Sequence, residues 1–363
     1  MPTATSNNVT FTVVATSLPS WLSGMTVGQW KLVSSSSLSG VSGVTSVGGA
    51  TGRESIVTAW NGTCVDPRDS TVYLLGCGGH ADYAGNEVYS IDLETDSPAW
   101  TLRRNTTTSI VNGDYYSDDR PSSTHTYHTQ VFVPEVNRAI RFGSGARYSD
   151  ARANSWIDRF DPSANDWDAY TGSGTSLAFG SQAPTVDQAW SAVRDPNTGN
   201  VYVFHNHENS AYRINRWNVG SPGSITTVIS SVGRSSYQMC AAYDSSRNIA
   251  LFSSGAGAVR LSVGAGTHTN FSITNGGPGD ANGLIYVAAT DRYYYRGAGS
   301  GGTVREINPS TWASAAFSTT GGTSIPARSN GCYNAFGYCP NLGGAYYVAS
   351  YTGGVWFLKI HEV

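Results

Sequence analysis

An all-β fold, a six-bladed β-propeller of four-stranded antiparallel blades, is predicted by three observations. One strand-and-turn unit returns six times, at a spacing of roughly 45 to 65 residues, the range of propeller blades. The composition suits short strands and tight turns: 42 Gly, 12% aromatic and only 13% charged residues in 363. The sixth unit lacks its last strand, and a strand-like run that can supply it stands near the N-terminus.

The recurring apolar strands are 72–75, 139–142, 201–204, 249–252, 293–295 and 345–348. Each is preceded by another strand-like run, at 60–65, 129–133, 190–194, 239–243, 284–288 and 333–338. The turns between them are short and rich in Asp, Pro, Asn and Gly, as in Asp66-Pro67-Arg68-Asp69 and Asp195-Pro196-Asn197-Thr198-Gly199. Proline fixes φ, and Asn, Asp and Gly accept positive φ, so these are hairpin turns. Third strands follow at 87–92, 156–161, 212–217, 258–263, 303–307 and 355–360. Weaker fourth strands follow at 100–103, 167–170, 225–229, 269–273 and 315–318. The sixth unit ends at Val363 without one, and the run Gly28-Gln29-Trp30-Lys31-Leu32-Val33 is assigned to that place. Residues 28–363 then form a single closed domain and 1–27 an N-terminal extension. Closure in this way protects the sheet edges.

The first unit reads Gly78-Gly79-His80, Asn86-Glu87-Val88-Tyr89, Asp92 and Trp100. The second keeps Gly143, Gly145, Trp156, Asp161-Pro162 and Trp167; the fifth keeps Trp312 and the sixth Gly353-Gly354 and Trp356. This pattern resembles the kelch repeat of galactose-oxidase-type propellers over roughly residues 56 to 363. The third and fourth units lack the Gly pair. The resemblance implies that the Gly pair lets blades approach and that the Tyr and Trp pack between them. It implies little about activity, since propellers host many functions.

A net charge of −3 gives no electrostatic footprint for nucleic acid. No apolar stretch is long enough to span a membrane. The first residues lack the basic and apolar regions of a signal peptide. Five Cys is an odd number. Cys64 and Cys77 flank one hairpin and can bridge only if a bulge brings them together; two thiols are the alternative. No Cys or His spacing points to zinc, and no cofactor is expected.

In a four-stranded blade the turns joining strands 1–2 and 3–4 lie on one face, and the 2–3 loops and blade connections on the other. The second set is longer here and holds five of the seven His. Function tends to sit on such loops. The candidate catalytic residues are His80, His125, His128, Tyr83 and Arg147. The candidate ligand-binding residues are Tyr115, Tyr116, Tyr148, His205, His207 and Trp190. Each histidine also has a plain structural reading: His80 as a loop cap, His125 and His128 as satisfied buried residues, and His205 and His207 as exposed loop residues.

Three functions are open. The first is a binding or structural module for a glycan or polysaccharide, with aromatics stacking on sugar rings and polar groups fixing hydroxyls. An extracellular-type composition without an export signal fits a virion protein, such as a phage tail component that also contacts other virion proteins. The second is a polysaccharide lyase. β-Elimination needs a base, an acid and a cation to neutralise the uronate, roles that His80, His125 or His128, Tyr83 or Tyr148, and Arg147 are able to fill. The third, suggested by the kelch resemblance, is a copper radical oxidase, for which Tyr127-His128 is the single matching pair.

Overall fold

The protein is a six-bladed propeller, each blade four antiparallel strands about a central axis. The structure, a computed structural model, describes residues 18–149, 153–169, 177–178, 190–207, 211–221, 223–233, 238–255 and 257–363. Asp150, Arg152 and Glu208, which the sequence places on the long loops, lie outside the described residues.

The second strand of each blade is sandwiched between neighbouring blades, so it is largely apolar on both faces rather than alternating. Thr71–Leu75, Ile249–Ser254 and Gly344–Val348 are buried at every position. Such runs are the strongest signal in the sequence. Outer strands carry less: Thr267–Phe271 and Ala313–Phe317 are largely open to solvent. The core is accordingly a set of seams between blades. Tyr73, Leu75, Phe132, Phe160 and Trp167 join blades 1 and 2, and Phe204 meets Phe252 at 5.4 Å between blades 3 and 4. The buried Trp167 matches the packing role that the kelch resemblance implies.

The hairpin chemistry is as expected. Asp66 Oδ1 accepts the Arg68 N–H at 3.0 Å, Asp195 Oδ1 that of Asn197 at 2.8 Å, and Asp244 Oδ1 that of Arg247 at 2.9 Å. These local bonds replace backbone bonds lost in a tight turn. The last blade is completed by Trp30–Ser34, antiparallel to Val355–Lys359 with Trp30 opposite Leu358. Part of the extension before it packs onto this blade: Trp21, Leu22 and Met25 are buried, with Trp21 edge-on to Phe357 at 5.1 Å.

The first strands of five blades begin later than the sequence predicts, and that of blade 5, Gly283–Val287, begins one residue earlier. In blade 1 the run 60–65 reduces to Cys64–Val65, preceded by a helical turn Ser55–Thr58. In blade 6 the run 333–338 becomes a 3-10 turn, Tyr333–Ala335, and then Phe336–Cys339. A left-handed residue stands ahead of the strand in five blades: Trp60 (φ 51°), Tyr127 (46°), Gln238 (56°), Ala281 (57°) and Tyr333 (47°). Among these, Tyr127, Ala281, Tyr333 and Trp60 cluster together. Trp60 and Tyr333 read as strand, yet they sit among the loops, Tyr333 buried and Trp60 half-buried. The fourth strand of blade 2 is not 167–170: the two-residue strands Asp166–Trp167 and Leu177–Ala178 both pair with Ala153–Asp161. Cys64 lies opposite Tyr73, not Cys77, and all five thiols are free and buried. No helix among the described residues is long and apolar enough to cross a membrane.

Candidate functional site

On the long-loop face, four segments of blades 1, 2 and 6 are zipped together by backbone bonds. The Ala50 N–H donates to Ala81 O (2.8 Å), Ala81 to Tyr148 O (3.0 Å), Tyr148 to Ser123 O (3.0 Å) and Gly145 to His125 O (3.1 Å). The segments approach closely because glycine lets them. A Cβ at Gly49 would lie 2.2 Å from Asp82 O, and one at Gly78 would lie 2.8 Å from Tyr83 O. The bend that follows forces His80 (φ 33°) and Ala81 (φ 63°) into left-handed backbone. Strained non-glycine residues of this kind are retained where the surroundings over-determine them, commonly at functional sites.

His80, His125, Asp82 and Trp60 converge on this platform. His125 Nε2 lies 3.1 Å from Asp82 Oδ2, and the Thr51 hydroxyl donates to Asp82 Oδ1 at 2.6 Å. The His125 ring is 6.0 Å from His80 and 4.9 Å from Trp60. His80 is exposed, while Asp82 and Trp60 are half-buried. His125 is buried. Burial pushes its pKa below the usual histidine range, and Asp82 and the Gly78 backbone work against that shift. The cluster is thus a fixed His–Asp pair behind one exposed imidazole and one accessible indole.

A second polar group adjoins it. Arg147 Nη1 donates to Asp114 Oδ1 at 2.6 Å, and Trp156 Nε1 to Asp114 Oδ2 at 2.8 Å. Tyr115 packs edge-on to Trp156 at 5.8 Å and donates its hydroxyl to Asp158 Oδ1 at 3.1 Å. Tyr148, half-buried, belongs to the same platform through its backbone.

The other sequence candidates go to the interior. Tyr83 is sealed in beside Glu87, and burial pushes both groups above their usual ranges. Tyr116 is buried and donates to Ala84 O at 2.7 Å. Trp190 is fully buried, its ring 5.4 Å from that of His205. His205 is not an exposed loop residue: it is buried in Val201–His207, with its Nε2 2.8 Å from Asn215 Nδ2. His207 ends the same strand, and its side chain lies outside the described residues. Tyr127 and His128 are neighbours in sequence only. Tyr127 packs on Tyr333 at 5.7 Å, whereas His128 lines the axial cavity. Among the described residues no group of three His, Cys, Asp or Glu converges to hold a metal.

Sequence reasoning missed Trp60 and Asp114. Trp60 reads as the start of a strand, and the following Asn61-Gly62 is the one sign of a turn there. Asp114 carries no spacing signal, because its partners come from blade 2.

His128 has a consequence for stability. Burial pushes its pKa down to about 3 from the ordinary 6.5. Below pH 6.5 the unfolded chain binds a proton that the folded chain refuses. Stability is therefore lost as pH falls from 6.5 toward 3, by about 1.4 kcal/mol per pH unit from this group. Urea midpoints across that window should show a shallower acid loss in His128→Leu than in the parent. Parallel curves would refute it.

No protein-family model matches this sequence, and no curated protein matches it either. Solved structures do resemble it. A Bacteroides thetaiotaomicron protein of unknown function aligns over 90% of this chain and 74% of its own, at 11% identity and TM-score 0.52. YjhT aligns over 83% of this chain and 93% of its own, at 9% identity and TM-score 0.51. A gluconolactonase from Xanthomonas campestris aligns over 84% and 86%, at 11% identity and TM-score 0.49. At such identities the likeness is one of fold.

Proposed function

We propose that the protein is a kelch-like propeller that binds surface glycans through the His80 face, as an extracellular or virion component. The observation that carries this reading is the platform itself. Backbone bonds hold an exposed His80, a half-buried Asp82 and an accessible Trp60 in one fixed arrangement. Sugars are recognised by such sets: an indole covers the apolar face of a ring while imidazole and carboxylate bond its hydroxyls. A platform fixed in advance also loses little entropy on binding. The Gly78-Gly79 bend and the buried Trp100 and Trp167 support the kelch subtype.

A glycan array followed by calorimetry tests the reading. The parent should bind at least one oligosaccharide class, and Trp60→Ala or His80→Ala should weaken it about tenfold or more, a loss of the order of 1.4 kcal/mol. Thermal unfolding of His80→Ala should be little changed, because His80 is exposed. Unaltered affinity in both variants would move the site elsewhere. Ultraviolet-absorbing products from a uronate polymer, lost in His80→Ala, would instead favour the lyase, with His80 as base. Tyr148 would then be its acid, since Tyr83 is buried.

A further inference from the structure

The axis of the ring contains a cavity of about 260 Å³. Val65, Val131, Val193 and Ile285 contribute its apolar wall. Pro67 and Pro196, from the hairpin turns, and Tyr243, Tyr286 and Tyr338, from the turn-side halves of first strands, lie toward one end. At the other end is His128, just ahead of Gln130–Val133. Beyond it Tyr127, Tyr333, Ala281 and Trp60 cluster, and none of them lines the cavity. The opening is therefore on the turn face, opposite the glycan platform.

The polar atoms at the inner end are committed, with one exception. Thr63 Oγ1 is engaged with Asn334 O and the Tyr346 hydroxyl, each at 2.8 Å. The Asn334 amide accepts from Thr63 N at 3.1 Å and donates to Gln130 O at 2.6 Å. Gln130 accepts from Leu75 N at 3.1 Å and donates to Gly62 O at 2.9 Å. His128 is 4% exposed, and its Nδ1 has no hydrogen-bond partner among the described residues. A buried polar atom left in that state is costly and calls for a partner.

Charge and size narrow the occupant. Arg194 lines the cavity, but its guanidinium is already paired with Glu135. His128 is neutral at physiological pH, so nothing along the wall offsets a ligand charge. The volume lies just below the roughly 300 to 1,000 Å³ of sites for drug-sized ligands, which leaves room for a single ring. Tyrosines and valines around it favour an aromatic ring.

We propose that the axial cavity binds a small, uncharged aromatic alcohol, which enters from the turn face and places its hydroxyl at His128. The site is separate from the glycan platform, and its failure leaves that reading untouched.

Calorimetry or ligand-observed NMR on the intact chain tests the proposal with phenol, and with toluene and benzoate for comparison. Phenol should bind saturably and benzoate should not. Val193→Phe, which fills the cavity from a half-buried wall position, should abolish phenol binding. His128→Leu should weaken phenol about tenfold and leave toluene unchanged, as the loss of one hydrogen bond requires. Absence of phenol saturation in the parent would overturn the proposal. So would equal binding of benzoate, or unchanged phenol affinity in the folded Val193→Phe or His128→Leu protein. If His128→Leu does not fold, Val193→Phe decides alone.

Discussion

Deleting residues 1–35 should drive the protein into aggregates. Trp30–Ser34 covers the outer edge of Val355–Lys359, and without it the ladder of that strand is unpaired. Unpaired edges template association with other chains. Trp30 is also the anchor of the seam between blades 5 and 6. Its indole donates to Gly302 O at 2.9 Å, sits 2% exposed and lies 5.5 Å from the Arg296 guanidinium. Trp30→Ala alone should cost about 3–5 kcal/mol, the usual range for removing a buried Trp. Size-exclusion chromatography checks the deletion and urea unfolding checks the point variant. A soluble, monomeric deletion with the parent's midpoint would refute ring closure as a source of stability.

Arg141→Met should destabilise by a similar amount for a different reason. Arg141 is wholly buried in blade 2, with its Nη2 2.7 Å from Asp158 Oδ2. It also donates to Gly76 O at 2.8 Å and to Ser122 O at 3.0 Å, joining blade 1 and the loop platform to blade 2. Removing the guanidinium leaves a buried carboxylate without its cation, a loss of about 3–5 kcal/mol. The double variant Arg141→Met/Asp158→Leu should recover part of this, because the stranded charge is gone while the two carbonyls remain unserved. Equal stability of the single and double variants in urea would show that the carbonyl bonds, not the ion pair, carry the effect.

The blades were legible because their inner strands are apolar on both faces, as Val201 to Phe204 and Ala345 to Val348 show. The closing strand was legible through Trp30 and through a sixth unit that ran out of chain. The exact start of the first strands was not. Trp60 and Tyr333 are as hydrophobic as strand residues, yet they occupy left-handed backbone in a loop cluster. The loops that carry the candidate cluster were legible, but which of their side chains point outward was not. His80, His125 and Asp82 were within reach because all three sit on loops of blades 1 and 2. Tyr83, Tyr116, Trp190 and His205 are of the same residue types but are directed inward, and residue type does not encode direction. The Asp114 partnership with Arg147 and Trp156 spans 33 and 42 residues and leaves no local trace.

Closure of the ring by strands from both ends of the chain gives the molecule a front and a back. Val355–Lys359 runs from the loop face toward the turn face, and Trp30–Ser34 starts where it finishes. The segment before Trp30 is held on that side, with Trp21 Nε1 donating to Thr95 O at 3.0 Å and Ser20 N to Asp96 Oδ1 at 2.6 Å. The C-terminal side is held there too, with the His361 N–H donating to Gly343 O at 3.0 Å. Leu18 and Val363 thus leave on the side away from His80. Anything joined at the C-terminal end, whether a sensor surface, a fluorophore or a neighbouring protein, would sit behind the disc and leave the His80 platform facing outward. The chain is wired as a directional display: tethering it there orients the disc without hiding the loop face.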